Sequence, residues 1–204
     1  MGCGGSTDAA AGGGAAADGN KERKLHVRPN WSEIQAKLPV ARTDAEKAKR
    51  LELFKKFDVN NNGYLSLAEV DKGVRDVLQI DALFASKDAL MRAFQAAKGL
   101  NPNPGQGADY VEKNEFRMLL VYLSEYFKIW CVFAQADESD DRRLTREEFA
   151  RTLPALNRWA PGKTVDQCWT EILPPNQTKI LFTEFAEWAI QKQLATLVED
   201  PRDE

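Results

Sequence analysis

The stretch DVNNNGYLSLAE, residues 58–69, limits what this chain can fold into more than any other part of it. It interrupts a helical pattern and then lets it resume. Before it, AEKAKRLELFKKF brings Leu51, Phe54 and Phe57 round to one face; after it, AEVDKGVRDVLQI returns to the helical period. Three further stretches share this outline of helix, polar break and helix. A helix over 87–98 leads into LNPNPGQGADYVEKNEF. A long apolar helix from about residue 113 (FRMLLVYLSEYFKIWCVFAQA) leads into DESDDRRLTREEF and a helix to about 153. VDQCWTEIL leads into PPNQTKILFTEF and a closing helix. In each break an apolar residue stands four places before a glutamate: Leu65 and Glu69, Val111 and Glu115, Leu144 and Glu148, Ile180 and Glu184. The letters repeat weakly but the layout is regular, so the chain reads as four copies of one supersecondary unit.

The chemistry of the breaks differs. Calcium is a hard cation that takes about six to eight oxygens, and a loop of about twelve residues can wrap it. In 58–69, Asp58, Asn60 and Asn62 at alternate positions direct side-chain oxygens inward, and Gly63 permits the sharp turn. Tyr64 offers its backbone carbonyl, Ser66 a contact through water, and Glu69 both carboxylate oxygens. The bland alternative is an Asn-rich turn. In 137–148, Asp137, Ser139 and Asp141 take the first, third and fifth places, Arg143 the carbonyl place and Glu148 the bidentate one. Arg142 stands where glycine is expected, and a non-glycine residue in the left-handed region costs roughly 1–2 kcal/mol. Two adjacent arginines also oppose a cation, although three ligand carboxylates exceed the two of the first loop. Here the bland alternative is a solvated charged turn.

The other two breaks lack ligands. Counting back from Glu115 places Pro104, Gln106 and Ala108 where oxygens are needed; counting back from Glu184 places Leu173, Pro175 and Gln177 there. Both keep the apolar residue that would pair two loops, so they read as structural partners without an ion. The expected fold is all-α, with two lobes over 29–126 and 127–204. Each lobe pairs one competent loop with one degenerate loop, and a disordered tail over 1–28 precedes them.

That tail opens MGCGGSTDAA and continues in Gly and Ala, with too few bulky apolar groups to offset the entropy of ordering it. MGCGGS satisfies the myristoylation pattern, with Gly2 as acceptor and Ser6 in place, and Cys3 beside it is a palmitate acceptor. One myristoyl chain binds membranes only marginally, so a second anchor fits the physics. Lys21, Arg23, Lys24 and Arg28 then outnumber Glu22; such a run is usually a solvated linker, but beside an anionic membrane each basic residue would instead add about 1 kcal/mol. No apolar run approaches the length of a membrane span, and the N-terminus lacks the apolar stretch of a secretory signal. The formal net charge of −3 gives no reason to expect nucleic acid. Cys131 and Cys168 sit among apolar residues and read as small hydrophobes, which suits a cytosol-facing chain. The five tryptophans, 31, 130, 159, 169 and 188, have helical settings that suit core packing.

These loops carry the EF-hand pattern, and the wider layout resembles the flagellar calcium-binding proteins, or calflagins, of trypanosomatid parasites. The resemblance begins at MGC with a small-residue tail. It runs through the pre-helix ending in LP, RLELFKKFD before the first loop, EFRMLLVYLSEYF between the second and third, and FTEFAEWA near the end. It departs in the fourth loop, where Leu173, Pro175 and Gln177 replace the family's ligands, so calcium bound there by relatives is not carried over. The resemblance implies an acylated, calcium-responsive protein on the cytoplasmic face of the flagellar or ciliary plasma membrane.

Two functions compete. In the first, the chain is a membrane-tethered calcium sensor whose lobes expose an apolar surface to a protein partner. In the second, it is a constitutive membrane adaptor or a weak calcium buffer with no switch. An enzyme finds little support: the only histidine, His26, lies in the tail segment, and neither a nucleophile–base arrangement nor a phosphate loop is present.

Overall fold

A computed structural model describes Met1 and residues 29–101 and 109–194. The expectations for the tail, with Gly2, Cys3, Lys21, Arg23, Lys24 and Arg28, lie outside the described residues, as do those for Pro104, Gln106 and Ala108.

Helix α1 (Trp31–Lys37) starts at Asn30, whose side chain accepts the Glu33 N–H at 3.3 Å. It stops at Leu38, which is extended because it precedes Pro39. Thr43 caps α2 (Asp44–Phe57) by accepting the Glu46 N–H at 3.2 Å. Two arginines hold the segment between these helices. Buried Arg50 donates to the carbonyls of Pro39 and Ala41 at 3.2 and 2.7 Å, and Arg117 donates to that of Val40 at 3.0 Å.

After the first loop come β1 (Tyr64–Leu65) and α3 (Leu67–Gly73). The expected single helix widens into a π turn over Val74–Leu78 and ends at Gln79, in the left-handed region. Helices α4 (Asp81–Ala85) and α5 (Lys87–Ala97) meet at Ser86, whose hydroxyl donates to the Leu83 carbonyl at 2.7 Å. Strand β2 (Val111–Glu112) leads into α6 (Phe116–Ala136), at 21 residues the longest helix among the described residues. Strand β3 (Arg143–Leu144) leads into α7 (Arg146–Ala150). The helix expected to run to 153 turns at Arg151 and Thr152 and restarts as α8 (Leu153–Trp159), with Pro154 in a first-turn place that needs no N–H. Helix α9 (Val165–Ile172), strand β4 (Ile180–Leu181) and helix α10 (Phe182–Leu194) complete the described chain.

The loops pair through two short antiparallel ribbons. Leu65 faces Val111 in one, and Leu144 faces Ile180 in the other. All four side chains are fully buried, which is why each loop keeps one apolar residue in an otherwise polar stretch.

Helix α6 organises the core. It packs on α5, α10 and α2, and its buried residues occupy most of its circumference. Phe116 at its start meets Phe54 and Phe57 of α2 at 5.2 and 5.5 Å between ring centroids. Phe133 near its end meets Phe182 and Phe185 of α10 at 5.5 and 5.6 Å. The boundary placed between residues 126 and 127 falls inside this helix. Leu123, Tyr126, Phe127 and Ile129 belong to one buried cluster that continues to both loop pairs. Trp159 is buried against Phe185 and against Trp188, itself buried, while Trp31, Trp130 and Trp169 pack partly buried against the same cluster. No described helix is long and apolar enough to cross a membrane.

Candidate metal centres

In the first loop the backbone is held by its own acidic and amide side chains. Buried Asp58 accepts the N–H of Asn62 at 3.1 Å on one oxygen and that of Gly63 at 2.9 Å on the other. The carbonyl oxygens of Asn60 and Asn62 accept the N–H groups of Asn62 and Tyr64 at 2.9 and 3.1 Å. Asn61 and Gly63 adopt positive φ, 56° and 87°, which turns the chain tightly enough to face these groups inward.

Glu69 closes the loop. One carboxylate oxygen accepts the Ser66 N–H and hydroxyl at 3.0 and 2.8 Å, and the other accepts the Asn60 amide at 2.9 Å. Ser66 in turn caps α3 by accepting the Glu69 N–H at 3.3 Å. The twelfth loop residue is therefore also half of a capping box. Thr145 and Glu148 form the same box at α7. Ser-x-x-Glu and Thr-x-x-Glu are legible in the sequence, but reading the glutamates as ligands alone hides their second role.

The third loop repeats the plan with one change. Asp137 accepts the Arg142 N–H at 3.1 Å and the Ser139 hydroxyl at 3.3 Å. Glu148 reaches back to the Ser139 N–H at 3.1 Å while bonding the Thr145 N–H and hydroxyl at 2.9 and 3.0 Å. Burial alone would raise the Glu148 carboxyl, but these donors outweigh it and hold the group below its ordinary value. Asp140 and Arg142 take the positive φ values of 58° and 61°, so Arg142 adopts the conformation for which glycine is usual. The change is at Asp141. One of its oxygens accepts the Arg143 N–H at 2.9 Å, and the other is bonded by Lys179 Nζ at 2.5 Å. That ammonium holds the Asp141 carboxyl below its ordinary value.

In loops two and four the twelfth-place glutamate bonds nearby backbone. Buried Glu115 accepts the N–H groups of Asn101 and Glu112, both at 2.8 Å, and Glu184 accepts that of Leu181 at 2.8 Å. In all four units the ninth-place N–H bonds the twelfth-place glutamate, so the repeat is structural even where ligands are missing. Loop four has positive φ at Asn176 but not at Thr178, so it lacks the second tight turn of the other two.

The donors of loops one and three suit a hard cation: all are oxygens, supplied by Asp58, Asn60, Asn62, Glu69 and the Tyr64 carbonyl, or by Asp137, Ser139, Asp141, Glu148 and the Arg143 carbonyl. Among the described residues no group of three carboxylate, histidine or cysteine side chains is gathered as a metal cluster. Loop one owns only two carboxylates, and in loop three Asp141 is engaged by Lys179. Beside loop one, a cleft of about 480 Å³ lies between α2 and the start of α6, lined in part by Leu51, Phe54 and Phe116 and by Asn62 to Tyr64 of the loop.

Comparison with known proteins follows the same lines. The FCaBP EF-hand domain model matches residues 34–123. Flagellar calcium-binding protein TB-17 of Trypanosoma brucei brucei is 35% identical over 211 residues, covering 100% of this chain and 90% of its own. The chain belongs to the flagellar calcium-binding protein family. The Flagellar calcium-binding protein of Trypanosoma cruzi is 35% identical over 164 residues, covering 78% of this chain and 77% of its own. A Putative flagellar calcium-binding protein of Crithidia fasciculata is 47% identical over 51 residues, covering 24% of this chain and 81% of its own. Within this family of EF-hand proteins, the present member pairs each oxygen-rich loop with one whose twelfth-place glutamate accepts backbone N–H groups.

Proposed function

We propose that this chain is a calcium-binding protein of the flagellum, tethered to the cytoplasmic face of the membrane by myristate on Gly2 and palmitate on Cys3 and acting there as a calcium sensor. The observation that carries the calcium part is the pair of loops at 58–69 and 137–148. In each, the first-place aspartate and twelfth-place glutamate are already fixed by backbone N–H groups. Calcium, when bound, supplies a divalent charge that rewards drawing these oxygens together.

The protein's own residues link the loops to the helices. Glu69 and Glu148 belong at once to a loop and to the first turn of α3 or α7, so displacing either carboxylate displaces a helix start. A protein partner would read an apolar surface altered by this motion. The cleft lined by Leu51, Phe54 and Phe116 qualifies, because Asn62 and Tyr64 line it too. Burial of Cys131 and Cys168 supports Cys3 as the acylated cysteine: burial pushes the Cys131 thiol up to about 12 and raises that of Cys168. The basic run Lys21, Arg23, Lys24 and Arg28 adds attraction to anionic lipid.

Calorimetric calcium titration of wild type, Glu69→Gln and Glu148→Gln tests the loop assignments. Each variant is expected to lose one site; two sites surviving in both would refute them. Radiolabelled myristate and palmitate incorporation, lost in Gly2→Ala and Cys3→Ser, tests the tether. The constitutive-adaptor reading is favoured by Glu115 and Glu184, which already accept backbone N–H groups of their own segments. Amide exchange identical in calcium and in chelator would decide for it.

A further inference from the structure

We infer that Lys179 is a built-in competitor for the third loop: an internal cation, supplied by the ion-less fourth loop, that occupies the fifth-place ligand Asp141 and lowers the loop's calcium affinity. This rests on the proposed calcium reading of loop 137–148. The contact is direct, with Lys179 Nζ at 2.5 Å from one oxygen of Asp141 while the other accepts the Arg143 N–H. The lysine is placed by the fold. It immediately precedes Ile180, which is fully buried and paired with Leu144, so ribbon register sets Lys179 opposite the third loop.

The first loop pair serves as an internal control. The matching place in loop two, seven residues into the twelve, is Tyr110, which packs edge-on against Tyr64 with ring centroids 4.7 Å apart. A neutral ring stands where loop four has an ammonium, and the fifth-place ligand of loop one, Asn62, is neutral too. The charges therefore balance across the molecule. Loop one offers two carboxylates among its ligands; loop three offers three, and Lys179 neutralises one. Ligand charge count is a main control of affinity in loops of this kind. The fourth loop loses nothing by carrying a lysine, because Leu173, Pro175 and Gln177 already deny it an ion.

The Lys179 and Asp141 side chains are each 37% exposed, so their pair belongs with surface ion pairs. Its removal is expected to tighten the third loop by about two- to fivefold. The test is calorimetric calcium titration in the Glu69→Gln background, where loop three is the remaining site, with and without Lys179→Met. Tighter binding with Lys179→Met, a gap that narrows as salt screens the pair, and no gain when Asp141→Asn is also present would support the competitor role. Lys179→Arg, which keeps the charge, should bind like its parent. Equal or weaker binding with Lys179→Met overturns the proposal, whereas loss of the site in Glu148→Gln would show that the loop assignment itself still stands. If neither the parent nor Lys179→Met binds, both fall together.

Discussion

Replacing Arg142 by glycine should make this protein more stable, although it deletes a large side chain. Arg142 sits at φ 61°, where an L-residue carries a penalty of roughly 1–2 kcal/mol. Its side chain is exposed, and its backbone N–H, which bonds Asp137, survives the change. Glycine removes the penalty but widens the unfolded ensemble by roughly 0.4–1 kcal/mol. The net expectation is a gain of about 0.5–1 kcal/mol, or about 1–4 °C in melting temperature for a chain of this size. Thermal and urea unfolding in chelator and in calcium would measure it. A gain in chelator means that the left-handed turn is built before calcium arrives; a gain only in calcium means that it forms on binding. Gly63→Ala is the mirror experiment. Gly63 has φ 87° and an added Cβ would meet nothing within 4 Å, so backbone strain of about 1–2 kcal/mol, less the roughly 0.4–1 kcal/mol by which alanine narrows the unfolded ensemble, should leave a net cost of about 0.5–1 kcal/mol. If Arg142→Gly destabilises the protein in both conditions, or Gly63→Ala costs nothing, this account of the loops is wrong.

Gly73→Ala should lower stability by about 1–3 kcal/mol in urea unfolding, because its Cβ would come within 2.4 Å of the fully buried Phe57 ring. Glu171 is held below its ordinary carboxyl value by Lys163 and by the Trp188 indole N–H at 3.0 Å. Wild type should therefore outlast Glu171→Gln at neutral pH and lose that advantage as pH falls through the depressed value, read by unfolding curves across the acid range. In a Cys3→Ser protein, thiol labelling of Cys131 and Cys168 should be slow when folded and rapid in denaturant; fast labelling of the folded protein would contradict their burial.

The local rules of the chain are legible in its sequence where they depend on neighbours. The apolar residue before each glutamate announces the ribbon contacts of Leu65 with Val111 and Leu144 with Ile180, because every loop must bury that one side chain. The candidate ligands follow from spacing in the same way. The π turn after Gly73 and the break at Thr152 are harder to see, since AEVDKGVRDVLQI keeps its helical period while the backbone widens beneath it. The Lys179–Asp141 contact joins residues 38 apart in sequence, and only ribbon register brings them together. Nothing near either residue marks it.

Helix α6 leaves the second loop as its exit helix and enters the third as its entry helix, 21 residues in one rod about 30 Å long. A rod has no independent ends. Glu115 and Asp137 flank the two ends of this one helix, and α5, α2 and α10 all pack against it between them. If calcium reorients either loop pair as proposed, the motion falls on a helix that the other pair shares, so the two oxygen-rich loops would be like two hands on one oar.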